Sequence, residues 1–236
     1  MTKLYLKNEL TFSLVWIALY VVLQSVADGI SEDLGTMKLI TAPLCMAMTA
    51  VIAGWIVKNG LTEKYGLQKP QTSGKQMLFY LPLVVIASSS LWFGCAMSMS
   101  ATEAALRVVS MLCVGFIEEI IFRGFLFKAI SNTNLKRAVV ISSVTFGLGH
   151  IVNLLNGAPL FETLMQIVYA VALGFLFTFI FLKSGSLIPC IVTHSAINSL
   201  STFAVISTDA QLVVITIALT VISVAYSAWI LRQKRT

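Results

Sequence analysis

The chain has 236 residues, 58% of them hydrophobic and only 11% charged, with a formal net charge of +6 and a mean hydropathy of +0.90. A soluble domain of this length cannot hide so much apolar surface, so composition excludes an ordinary water-soluble enzyme and points to a polytopic membrane protein. The positive excess forms no single patch, which argues against nucleic acid as a partner. Instead the basic residues recur between apolar segments, as topology determinants do.

Apolar segments run over about 10–27, 38–57, 77–97, 105–122, 138–153, 163–182, 187–206 and 211–231. Most approach the ~20 residues that a helix needs to cross a bilayer core. The first ends in Ser25-Val26-Ala27, which resembles a leader-peptide cleavage site. Its run is longer than a leader core, and Glu9 sits where positive charge is expected, so it reads as a retained membrane helix. No repeat or low-complexity tract interrupts the series. The expected architecture is all-α: one integral-membrane domain over 1–236, about eight transmembrane helices, with a motif-bearing core over about 111–200.

The loops suggest an orientation. Lys3 and Lys7 precede the first segment, and Lys58, Lys64, Lys69 and Lys75 follow the second. Arg123, Lys128, Lys136 and Arg137 separate the fourth and fifth, Lys183 the sixth and seventh, and Arg232, Lys234 and Arg235 close the chain. The alternate loops carry Asp28, Glu32, Asp33, Glu103, Glu162 and Asp209, with Lys38 as the basic exception. Positive loops face the cytoplasm, so eight crossings would leave both termini inside. The cysteines Cys45, Cys95, Cys113 and Cys190 lie in or beside apolar segments without metal-type spacing, and read as buried structural thiols.

Four polar positions stand out against this background: Glu118, Glu119, His150 and His194. Ionisable groups inside membrane helices are expensive and usually face a cavity or a partner. On a helix, Glu119 and Arg123 are four apart and share a face, so they can pair. Glu118 is turned by about 100° from Glu119 and points elsewhere. A carboxylate left over beside a satisfied pair suits general acid–base work. Gly147 and Gly149 before His150 would let a neighbouring helix approach closely, and His194 shares a face with Asn198. At 1.5 Å per residue Glu118 lies roughly 8 Å from Arg123 and His194 roughly 13 Å from Gly185, whereas His150 lies roughly 20 Å from Arg137, so vertical helices would leave His150 too deep.

Taken together, Glu118-Glu119…Arg123, Phe146…His150 and His194…Asn198 resemble the signature of the CAAX protease and bacteriocin-processing family of intramembrane peptidases, which includes type II CAAX prenyl endopeptidases. The resemblance covers segments four to seven. It implies an intramembrane endopeptidase of the bacterial cell membrane, with its site toward the cytoplasmic side, acting on membrane-bound peptides of prenylated or bacteriocin type. It further implies that Glu118 and His150 activate a water, that His194 and Asn198 stabilise the oxyanion, and that Glu119 and Arg123 brace Glu118. Glu118, His150 and His194 plus water also match the ligand count of a catalytic zinc site, so a divalent-metal route stays open beside the metal-free one. A thiol route through Cys190 or Cys113 is disfavoured, because an apolar setting with nearby carboxylates opposes thiolate formation. The non-enzymatic alternative is a bacteriocin self-immunity protein that binds a toxin. Proton-relaying transport is a third reading, weakened by the lack of paired half-repeats.

Overall fold

The computed structural model describes residues 1–233. Lys234 and Arg235, two of the basic residues used for orientation, lie outside the described residues. Among the described residues the chain is helical throughout, and its one extended pairing is an isolated bridge between Cys95 and Ala204. The helices are α1 (Thr2–Lys7), α2 (Glu9–Asp33), α3 (Thr41–Lys58), α4 (Leu81–Ser88), α5 (Ala101–Glu119), α6 (Phe127–Ser131), α7 (Leu135–Gly149), α8 (Val152–Leu155), α9 (Leu160–Ser184), α10 (Ile188–Leu200) and α11 (Asp209–Arg232).

Five stretches are long and apolar enough to cross a membrane: Glu9–Asp33, Thr41–Lys58, Leu135–Leu155, Leu160–Ser184 and Asp209–Arg232. The first runs unbroken through Ser25-Val26-Ala27. The other three apolar segments take different forms. Segment 77–97 is broken, because Leu78, Phe79 and Tyr80 all have positive φ and the helix restarts at Leu81-Pro82, with proline fitting the first turn. Segment 187–206 holds only the 13-residue α10. Segment 105–122 lies on α5, whose four acidic and basic residues make it the most polar of the long helices.

Local chemistry sets the helix starts. Ser100 and Glu103 form a reciprocal capping box on α5, and Asn8, Asn134 and Thr208 cap α2, α7 and α11 through their side chains. At the other end of α5 the chain does not leave the helical path. A π-helical stretch, Ile120–Leu126, joins it directly to α6. Arg123 lies in this stretch and is fully buried, so it is not a loop charge as its sequence position suggested. Lys38, the basic exception in the alternate loops, is neutralised by Asp28, whose two oxygens lie 2.8 and 2.9 Å from Nζ.

Helix crossings occur where side chains are missing. A Cβ on Gly115 of α5 would meet the backbone of Ser195 on α10, at 2.5 Å from N and 2.7 Å from Cα. Ser195 Oγ donates to Leu112 O across the same crossing, at 2.9 Å. Between α7 and α9, Gly147 faces the backbone of Val171 and Gly174 that of Ser143. Close approach through small residues is how membrane helices gain packing without a hydrophobic drive between them. Gly149 does not serve this purpose, since its nearest neighbour is Phe122 Cζ at 4.0 Å.

The end of the bundle that carries the basic loops is sealed. Phe125 stacks edge-on with Phe12, Tyr65 and Trp55, at centroid distances of 5.0, 5.1 and 6.0 Å. The loop after α3 packs beneath the α9–α10 turn, where Gly66 O accepts from Leu187 N (2.8 Å), Gln71 N donates to Ser184 O (2.7 Å) and Ser186 Oγ donates to Gln68 O (2.5 Å). Cys45 and Cys190 are buried as expected, whereas Cys95 is exposed and Cys113 partly so. Cys95 escapes burial because it follows α4 in the irregular connection to α5.

Gly115→Ala is expected to force α5 and α10 apart and to cost about 1–3 kcal/mol of stability, the usual range for overpacking. Thermal unfolding of the purified protein checks this, with Gly54→Ala as control because nothing lies within 4 Å of its added Cβ. Equal melting of both variants would contradict the packing account.

Candidate active site

The Gly115 crossing sets α10 against the last turn of α5, which brings His194 onto both glutamates. His194 Nδ1 donates to Glu119 Oε1 at 2.9 Å, and Nε2 lies 3.4 Å from Glu118 Oε2. Glu119 Oε1 also accepts from Arg123 Nη1 at 3.0 Å. Glu119 and Arg123 are both 0% exposed. The pair forms at the expected four-residue spacing although Arg123 sits in the π-helical stretch. Its guanidinium also stacks over Phe146, 4.0 Å from the ring centroid.

Glu118 is held differently. Its Oε1 accepts a 2.6 Å hydrogen bond from Tyr20 OH of α2. Its Oε2 has no hydrogen-bond partner, the His194 Nε2 contact lacking that geometry. Sequence reasoning missed Tyr20. A tyrosine hydroxyl inside a bilayer helix needs a partner, and that was the available signal. A lone tyrosine in an apolar run looks the same as an interfacial anchor, however.

Glu118 lines a cavity of about 430 Å³, together with Tyr20, Phe146, His150 and Asn198. His194 does not line it and sits behind Glu118, between the two carboxylates. Phe146 stands between the histidines, its ring 5.5 Å from each imidazole centroid and nearly perpendicular to both. Three of the four predicted catalytic side chains therefore share one void, and the fourth supports one of the three. Neither Cys113 nor Cys190 reaches the cavity.

The depth mismatch expected for His150 disappears. It arose from treating Arg123 as the end of its helix. With the helical path continuing to Ser131, Glu118 lies roughly 20 Å from that end, close to the roughly 22 Å from Leu135 to His150 at 1.5 Å per residue.

The cavity extends in one direction only. From Glu118 it passes Arg107, Asp28 and Lys38 and reaches Asn156, Ala204 and Leu212. All of these lie toward the acidic loops, away from the sealed end.

Glu118, His150 and His194 do not form a ligand shell. Among the described residues no three His, Cys, Asp or Glu side chains gather closely enough to hold a metal ion. His194 already turns one nitrogen to each glutamate.

Residues 100–200 match the family model described as type II CAAX prenyl endopeptidase, Rce1-like. The match spans all three motifs that carried the resemblance, and the family is one of proteases. Neither a curated protein nor a solved structure matches the chain. Five apolar helices of membrane-crossing length agree with a protease embedded in the bilayer.

Proposed function

We propose that this chain is an intramembrane endopeptidase that hydrolyses a peptide bond with water activated by Glu118. One observation carries this reading: Glu118 lines the cavity, whereas the adjacent Glu119, paired with Arg123 and His194, does not. A carboxylate at a cavity wall can meet a water and is placed for proton transfer, and one enclosed in an ion pair away from the cavity is not.

Glu118 takes a proton from water as the oxygen adds to the scissile carbonyl carbon. The tetrahedral oxyanion is met by His150 and Asn198, which face the cavity; such donors usually contribute strongly. Collapse breaks the C–N bond, and Glu118 returns its proton to the departing amine. His194 and Tyr20 position the Glu118 carboxylate from opposite sides, a role for His194 that its distance from the cavity wall favours over direct contact with the oxyanion. No metal takes part in these steps. The substrate class is a hydrophobic or membrane-anchored peptide of the kind the matched family's description names, a prenylated chain included.

The bundle is read with its basic loops and both termini at the cytoplasmic face. The cavity mouth then opens at the opposite face, which replaces the expectation of a site toward the cytoplasm.

Glu118→Gln keeps the acceptor that Tyr20 needs and is expected to leave the protein folded while lowering peptide cleavage at least a thousandfold, with chelator leaving wild-type turnover unchanged. Retained cleavage in the variant would overturn the peptidase reading, and protection from a toxin without any cleavage would favour the immunity role. For orientation, a membrane-impermeant maleimide is expected to modify exposed Cys95 in intact cells, with Cys95→Ser removing the signal. Modification only after permeabilisation would put the mouth at the cytoplasmic face.

A further inference from the structure

Beside the paired Asp28 and Lys38, Arg107 is a charge on the cavity wall that the mechanism does not use. It lies in the early turns of α5 and lines the same void as Glu118. Its Nε is buried without a hydrogen-bond partner. Its one polar contact is a weak one, from Nη1 to Met37 Sδ at 3.8 Å. Among the described residues no carboxylate forms an ion pair with it. The acid one turn earlier on the helix and the acid on the same cavity wall are already engaged. Glu103, one turn earlier, accepts from Ser100 N and Oγ through Oε2 as the helix cap. Asp28 is held by Lys38 and Thr41. A guanidinium carries five donors in a fork that matches a carboxylate, and here the half-buried fork has its Nε shielded from solvent with no acceptor. Such a group on the wall of a substrate cavity lacks its anion.

The spacing along α5 specifies where that anion sits. Arg107 and Glu118 are eleven residues apart, which is three turns and within about 20° of one face, at a rise of about 16 Å. Both side chains lean toward the helix N-terminus, so the offset between their tips stays near the backbone value. An extended peptide advances about 3.3–3.6 Å per residue. About four extended residues, allowing for the water between Glu118 and the scissile carbonyl, fill the interval.

We infer that Arg107 is a specificity-determining residue that binds a substrate carboxylate about four residues from the scissile bond, on the side of the chain that runs toward the cavity mouth. The carboxylate comes either from the end of the peptide or from an Asp or Glu side chain at that position. This inference rests on the peptidase reading for its reference point at Glu118.

The test uses the Glu118→Gln protein in phosphatidylcholine nanodiscs, whose lipid headgroups carry no carboxylate. The probes are apolar hexapeptides carrying an uncharged dansyl label, in two matched pairs. One pair differs only in a C-terminal acid or amide, the other only in Glu or Gln at the fourth residue with an amide terminus. At least one anionic member is expected to bind tenfold or more tightly than its neutral partner, and the pair that discriminates identifies the source. Adding R107Q should collapse that ratio to near one, while R107K, which keeps the charge but not the fork, should retain part of it. Monodisperse elution of each variant confirms folding. Equal binding within both pairs, binding by neither pair, or a preference that survives R107Q overturns the inference. An Arg107-dependent preference in a protein whose wild-type form hydrolyses nothing would instead remove the peptidase reading and leave carboxylate recognition standing.

Discussion

Two adjacent carboxylates inside a bilayer helix can persist only if their charges are met by different means. Glu119 is met through one oxygen: Arg123 one turn along and His194 from the facing helix both bind its Oε1, Oε2 has no hydrogen-bond partner, and neither Glu119 nor Arg123 reaches solvent. An ion pair this deep is poor evidence for stability, since desolvation offsets much of the attraction. What it supplies is a fixed point. It fixes His194, and with His194 and Tyr20 it fixes Glu118 at the wall of a void.

That fixed point depends on a close helix crossing. His194 reaches Glu119 because Gly115 lets the backbone of α10 lie against α5. On the far side of the site, Gly147 and Gly174 bring α7 against α9 and hold Phe146 and His150 in place. Phe146 then joins the two halves, with one face under the Arg123 guanidinium and a histidine ring on either side. The aromatic cluster around Phe125 and the loop beneath α10 close the other end, which leaves a cavity with one direction of entry. The paired Glu119, the cavity-facing Glu118 and the closed end together define the pocket on which the proposed hydrolysis rests.

Much of this was legible in the sequence, because the bilayer makes polar residues conspicuous. Glu118, Glu119, His150, His194 and Asn198 stand out in apolar runs, and the Glu119–Arg123 pair follows from helical spacing alone. Other features were hidden for identifiable reasons. Arg123 reads as a loop charge because a basic residue after an apolar run marks the membrane edge in most helices, and the π-helical continuation leaves no compositional trace. That misreading also produced the false depth of His150. Tyr20 pairs with Glu118 far away in sequence and Arg107 finds no carboxylate at all, and pairing is a tertiary property. The direction in which the cavity opens depends on which helix halves part, and periodicity does not record that. The count of spans is the least legible: five helices have the required length, while segments three, four and seven reach their places broken, charged or short.

The central claim is that neighbouring glutamates have opposite duties, one structural and one reactive. Thermal unfolding of Glu119→Gln beside Glu118→Gln measures this most directly. Loss of Glu119 leaves Arg123 buried and uncompensated, so that variant should lose about 3–5 kcal/mol, whereas Glu118→Gln should melt at or above the wild type. Equal losses in the two variants, or a larger loss from Glu118→Gln, would contradict the division of roles on which the account stands.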